Sequence, residues 1–318
     1  MKCYLQLGCL LFIFSTGADA APCARTKDSW VTTGQFDSKR FGNFILNNNN
    51  WGGTPNQEFW ADSASCWGVT TSAEKGRGGI GSYPSITRGW SQNQGVFQQL
   101  STPDRNDWTT KAGLGIKVGE IKKAKLHWSF EAPSAPQTRW MALIDVYFHR
   151  TRTPGPAEFP PFTDLMINPA LADQVFGDGV TTYYQAVAKR ARATYVTLGG
   201  VRYLVYIDEP GENSYHQPGG HTIHLFRTPT TNEKAGPNWG SKTSTTDIKA
   251  IVDFFRQDNP RDDSGKGLRD ASGREITSAL LPPGLFLTSI NAGFEIDTGL
   301  SFMTKDFCLS LQDEPDCH

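Results

Sequence analysis

The chain of 318 residues carries 31 Lys and Arg against 32 Asp and Glu, a net charge of −1, and is 38% hydrophobic and 12% aromatic. That is too apolar and too aromatic for a disordered chain, and it lacks the basic surplus needed to neutralise a nucleic-acid backbone or an anionic membrane surface. The length allows one large domain or two small ones, with enough chain to bury a core unaided by metal.

In chain order, residues 1–20 form the first distinct segment. Lys2 gives a positive start, an apolar run centres on 10–14, and Ala18-Asp19-Ala20 matches the small-x-small pattern of a signal-peptidase site. The run is shorter than the roughly 18 residues a membrane helix needs. Gln6 stands three positions before Cys9, where a lipoprotein anchor would need an apolar residue. The expectation is a signal peptide over 1–20 and a mature chain, 21–318, that is secreted or periplasmic and not held by the membrane. Four cysteines then remain: Cys23, Cys66, Cys308 and Cys317. No spacing among them suits a zinc knuckle or a CxxC redox motif, an oxidising compartment favours disulfides, and four cysteines allow three pairings. Cys23–Cys66 with Cys308–Cys317 is the expected pairing, because the second pair is close in sequence and would pin the terminus.

Strand signals outnumber helix signals beyond that point. Residues 41–46, 124–130, 140–149, 194–196, 201–207, 221–226 and 302–311 are short, rich in β-branched and aromatic residues, and bounded by Gly, Pro, Asn or Asp. Leu198-Gly199-Gly200 between two of them predicts a hairpin. Residues 246–257 predict a helix, with Asp247 as its cap and Ile248, Ile251, Val252 and Phe255 at helical spacing. Residues 170–189 suit either a long loop or a short helix, and 208–220, 229–245 and 259–283 read as surface insertions. No internal repeat and no Ser/Thr/Pro linker is evident. Many short strands and one helix in a single domain predict an all-β sandwich or jelly roll.

Three strand segments each carry an acid among apolar neighbours. Alternation puts Asp145 and Tyr147 on one face and Ile144, Val146 and Phe148 on the other. Asp164 and Met166 share a face opposite Leu165 and Ile167, and Glu295 lies opposite Phe294 and Ile296. A carboxylate in such a strand is costly to bury unpaired, so it must face water, a partner or a cleft. Two acids across a cleft are the minimum equipment for hydrolysing a glycosidic bond.

Ordered motifs then carry a resemblance. Asn48-Asn49-Asn50-Trp51-Gly52, Gly81-Ser82-Tyr83-Pro84-Ser85, Ile144-Asp145-Val146-Tyr147-Phe148 and Thr163-Asp164-Leu165-Met166-Ile167 come first, followed by the hairpin from Leu198 to Tyr203 and the helix start Thr246-Asp247-Ile248-Lys249. The last and strongest motif is Leu287-Thr288-Ser289-Ile290-Asn291-Ala292-Gly293-Phe294-Glu295. In this order they resemble family 12 glycoside hydrolases, endo-β-1,4-glucanases and xyloglucanases built on a β-jelly roll. The resemblance implies that Glu295 is the general acid/base, Asp145 an auxiliary carboxylate and Trp51 a sugar-stacking platform. It also implies that Asn49 is a nearby polar contact and that Met166 lies at the reaction site. Asp164 stands where the family has a Glu nucleophile, Asn168 replaces the Trp of its Met-Ile-Trp motif, and Asp297 falls where many members keep an aromatic.

The implied activity is hydrolysis of β-1,4-glucosidic bonds in a cellulose, β-glucan or xyloglucan, with retention of configuration and no cofactor. Neighbouring negative charge is expected to keep Glu295 protonated. The implied partner is the glucan alone, bound by a monomer, with Trp90 and Asn168 as further contacts. A polysaccharide-binding module that keeps the cleft without turnover is the alternative. Glu158, in a Pro-rich loop, is a weaker rival to Asp164. His221 and His224, three apart on a strand, face opposite ways and make no metal site. Ser82 and Ser289 lack partners at a serine-hydrolase spacing, and the glycines at 76–79 read as a loop rather than a phosphate cradle.

Overall fold

The computed structural model describes residues 23–73, 79–91, 108–134, 138–155, 158, 160–172, 194–208, 217–228, 238–240 and 242–317. The segment 1–20, the glycines at 76–78 and most of 170–189 lie outside them. The strands are β1 (Trp30–Thr32), β2 (Ser38–Phe41), β3 (Phe44–Asn47), β4 (Glu58–Ala61), β5 (Trp67–Ala73), β6 (Ser85–Gly89), β7 (Ile116–Lys117) and β8 (Ala124–Glu131). They continue with β9 (Arg139–His149), β10 (Thr163–Ala172), β11 (Tyr195–Leu198), β12 (Val201–Ile207), β13 (His221–Arg227), β14 (Asn238–Gly240), β15 (Thr243–Asp247) and β16 (Phe286–Leu311).

Two layers result, and β16 belongs to both. Its first half pairs with β6 and β9 in the sheet that continues through β10, β13, β12 and β11. Its second half pairs with β5 and β8 in the other sheet. The faces turned toward each other bury Ile144, Val146, Leu165, Ile167, Phe294 and Ile296 against Trp67, Trp128, Phe130 and Phe302. The Phe294 ring lies 5.1 Å from those of Trp128 and Phe302. Each such side chain contributes about 1.5–3 kcal/mol on burial, so every inward residue of a central strand commits its alternate neighbour to the opposite face. This is an all-β jelly roll.

Local chemistry accounts for the elements. Gly199 and Gly200 take φ of 56° and 79° at the turn joining β11 to β12, a conformation that side chains disfavour and that matches the twist of a tight hairpin. Helix α1 (Ile248–Phe255) buries Ile248, Ile251, Val252 and Phe255, and its first turn is capped by Asp247, which accepts from the Ala250 amide at 2.9 Å. Both expected disulfides, Cys23–Cys66 and Cys308–Cys317, are present. Among the described residues no helix is long and apolar enough to cross a membrane.

Three expectations are corrected. Residues 41–46 are not one strand: Phe41 ends β2, the chain reverses at Gly42 with φ of 60°, and Phe44 to Leu46 begin β3. Residues 302–311 are the end of the 26-residue β16. The segment 259–283 is neither merely superficial nor free of repeats. Residues 261–268 and 269–276 repeat the pattern Arg-Asp-x-Ser-Gly-basic-x-aliphatic, and each forms the same tight hairpin. In both, one carboxylate oxygen (of Asp262 or Asp270) accepts from the following Ser amide and hydroxyl and from the basic residue's amide. Leu268 and Ile276 close the two units and are buried in the core. Each unit is only eight residues long, and four of its eight positions hold different residues in the two copies.

Candidate active site

With the inward face of β9, β10 and β16 given to the core, the other face receives the acids. Asp145 on β9 stands opposite Met166 on β10 and Asn291 on β16. Asp164 stands opposite Tyr147 on β9 and Thr222 on β13, and Glu295 lies opposite Met141. The three acids come from adjacent strands onto one face, close enough to act on one another electrostatically.

Their ionisation is strongly biased. Burial pushes Glu295 up to about 7, so burial, rather than the neighbouring charge expected from sequence, is what keeps its proton. Asp145 is held well above the usual carboxylate range by burial and then by Glu295, with a hydrogen bond from Tyr83 opposing. Asp164 is raised by burial, then by Asp145, Glu295 and Asp208. Oδ1 of Asp145 and of Asp164 and Oδ1 of Asn168 are buried with no hydrogen-bond partner in the protein. Such orphan oxygens are uncommon in a folded interior and mark places where polar groups of another kind are accommodated.

Tyr83 is the residue that sequence reasoning passed over as part of the site. Its hydroxyl donates to the Leu143 carbonyl at 3.2 Å and lies near enough to the Asp145 carboxyl for each to shift the other's ionisation. The ring crosses β16 at Gly293, where an added Cβ would stand 2.8 Å from the Tyr83 ring and 2.5 Å from the Pro84 carbonyl. The glycine inside the strongest motif is therefore the space that lets Tyr83 reach Asp145. The Ser-Tyr-Pro and Ala-Gly-Phe segments carried the signal, but only the fold shows that they meet.

The remaining sequence-derived residues divide. Met166 shares the face of the acids. Asn168 lies further along the same strand, buried, with Nδ2 3.4 Å from the Met166 carbonyl. Asn49 sits at φ 34° and, with Asn47, Tyr83, Ser85, Tyr147 and Asn291, lines a polar hollow beside Asp145. Trp51, 52% exposed, stands two residues beyond Asn49. Trp90 is corrected: it is fully buried, donates Nε1 to the Gly155 carbonyl at 3.0 Å, and packs against Tyr147 and His149. Its apolar ring is spent on the core and presents no face to a ligand. Glu158 bonds the Thr151 hydroxyl and the Gly155 amide in its own loop.

At Asp297 an ion pair with Arg139, 3.2 Å apart, occupies the place beside Glu295. His224 Nε2 lies 3.5 Å from Asp208 Oδ2. Among the described residues no group of three or more His, Cys, Asp or Glu could hold a metal ion.

No protein-family profile matches the chain, and no curated protein sequence does. Solved structures do match. The endoglucanase cel12A from Rhodothermus marinus superposes with a TM-score of 0.58 at 19% identity, over 89% of this chain and 99% of the enzyme. A family 12 xyloglucanase from Bacillus licheniformis gives 0.57 at 15% identity, over 89% and 100%. The xyloglucanase domain of NopAA, a type three effector from Sinorhizobium fredii, in complex with cellobiose, gives 0.56 at 15% identity, over 89% and 99%. At such identities the likeness is one of fold, and this chain has the jelly roll on which those proteins are built.

Proposed function

We propose that the protein is a secreted glycoside hydrolase that cleaves β-1,4-glucosidic bonds within a cellulose, β-glucan or xyloglucan chain. The observation that carries this reading is the meeting of Asp145, Asp164 and Glu295 on one face, with Glu295 pushed up to about 7. A carboxylic acid that keeps its proton near neutrality beside a second carboxyl is the equipment of an acid-catalysed glycosyl transfer to water. Glu295 protonates the departing sugar oxygen, Asp164 attacks the anomeric carbon with Asp145 beside it, and Glu295 then draws the proton from the incoming water. Trp51 stacks on a sugar ring, Asn49 and Met166 border it, and no cofactor takes part. Residues 1–20 direct export, 21–318 act as one domain, and the two disulfides suit an oxidising compartment.

Turnover is slow in this reading. Asp is one methylene shorter than Glu, which withdraws the attacking oxygen by roughly 1–1.5 Å, and a misplacement of about 1 Å can cost some 10²-fold. Retention is nevertheless expected, because facing strands set the carboxyl separation. Proton NMR of the first product from a soluble β-glucan tests it: initial β-anomer supports retention, whereas initial α-anomer recasts Asp164 as a general base. The raised Asp164 favours one second reading, a module that binds glucan without turnover. Binding by wild type and Glu295→Gln alike, with hydrolysis by neither, would establish that module.

A further inference from the structure

Thr222 on β13 lies directly beside Asp164 in the parallel pairing with β10. Ile223 and Leu225 of the same strand are in the core, so alternation turns Thr222 to the face of the acids. Thr222 is 1% exposed, and its Oγ1 has no hydrogen-bond partner, as Oδ1 of Asp164 has none. Two orphan polar atoms on register neighbours are each costly in a buried place. Paired strands lie about 4.8 Å apart, so a turn about χ1 of Thr222, which has more than one staggered well, satisfies both at once. The pairing is also asymmetric: a threonine hydroxyl donates to an ionised carboxyl, and that bond favours the ionised form.

We propose that Thr222 is a positioning residue for Asp164, its hydroxyl donating to the carboxylate and thereby aiming the attacking oxygen and favouring its ionised state. This rests on the reading of Asp164 as nucleophile. The need for such a donor follows from what surrounds Asp164. Asp145 and Tyr147 of β9 lie on one side and Glu295 of β16 beyond them; Asp208 at the end of β12 and His224, one step along β13, lie on the other. Three of these neighbours are acids that oppose a charge on Asp164. A short side chain cannot reach away from them, so the donor has to come from the adjacent strand.

The test follows the Asp164 carboxyl directly, by carbon-13 NMR of the full chain across pH, with the signal assigned by its loss in Asp164→Asn. Thr222→Val keeps the shape and removes the donor; below the Asp164 midpoint, where the carboxyl is protonated and the bond to its ionised form is not made, its melting temperature should stay near that of wild type. The Asp164 midpoint is expected to move up by about one pH unit in Thr222→Val and to return in Thr222→Ser. With a soluble β-glucan, Thr222→Val should lower kcat about tenfold at little change in KM and raise the acidic limb of the pH profile, and Thr222→Ser should restore most of the rate. An unchanged or lowered midpoint in Thr222→Val, or a Ser variant that behaves as Val, overturns the proposal. A wild type without turnover whose midpoint shifts as stated supports the hydrogen bond and overturns only the hydrolase reading.

Discussion

Two tryptophans that the sequence offers as sugar contacts have opposite fates, and exposure separates them. Trp51 is 52% exposed beside the polar hollow, whereas Trp90 is fully buried. Trp51→Ala is expected to weaken glucan binding by about 1–3 kcal/mol, in the range of exposed aromatic anchors, with little change in melting temperature. Trp90→Ala should destabilise by about 3–5 kcal/mol, read in urea, before affinity is affected. The shortened acid gives a second contrast. Asp164→Glu restores the missing methylene and is expected to raise kcat several-fold on a soluble β-glucan. A fall instead would mean that β10 has already moved to suit the shorter side chain. Asp145, Asp164 and Glu295 were legible because an acid among alternating apolar residues stands out. Tyr83 and Thr222 were not, because a tyrosine in a loop and a threonine in a strand are ordinary until their neighbours are known.

Strands and turns follow their local chemistry, but the paired hairpins of 261–276 work through what they cover. Edge strand β11 is short, and beyond it β12 would leave backbone groups open to pairing with another chain. The first hairpin gives the Asp263 amide to the Tyr195 carbonyl and an Asp263 oxygen to the Thr197 amide; the second gives the Ala271 amide to the Ile207 carbonyl. Leu268 anchors the unit at 1% exposure. Leu268→Ala is expected to cost about 2–5 kcal/mol and to loosen the sheet edge, seen as faster amide exchange at Thr197 and Ala271. Asp270→Ala should lower the melting temperature more than Asp262→Ala. Asp270 is the more buried of the two, and its second oxygen also bonds the Arg274 guanidinium.

The molecule's stability against pH is set by groups that pull in opposite directions. Glu295 ordinarily titrates at 4.5 and is pushed up to about 7 by burial. Folding therefore favours its protonated form, and its cost grows as pH rises from the first value to the second. Glu295→Gln removes that cost. Its melting temperature is expected to exceed wild type at pH 8, by of order 1–3 kcal/mol in stability, and to match it at pH 4. Burial lowers His149 to about 4, so its cost appears as pH falls below the ordinary 6.5. Asp270 and Glu314, held low by hydrogen bonds from Ser272 and from Arg88, also lose their contribution on the acid side. Greatest stability should lie in mildly acidic solution, between these two losses.

The sequence by itself determined the all-β class, the helix with its cap and the outward face of each acid, and it favoured the two disulfides among three possible pairings. All of these depend on periodicity, turn residues or compartment, which a chain carries locally. Only the tertiary structure decided that β16 serves both sheets, that Trp90 faces inward, and that Tyr83 crosses Gly293 to reach Asp145. Those outcomes depend on which strands become neighbours and in what register, and register is settled by packing between residues as much as 150 positions apart, as Asp145 and Glu295 are. The same holds for ionisation. Glu295 is an ordinary carboxyl in the sequence, and burial raises its affinity for a proton.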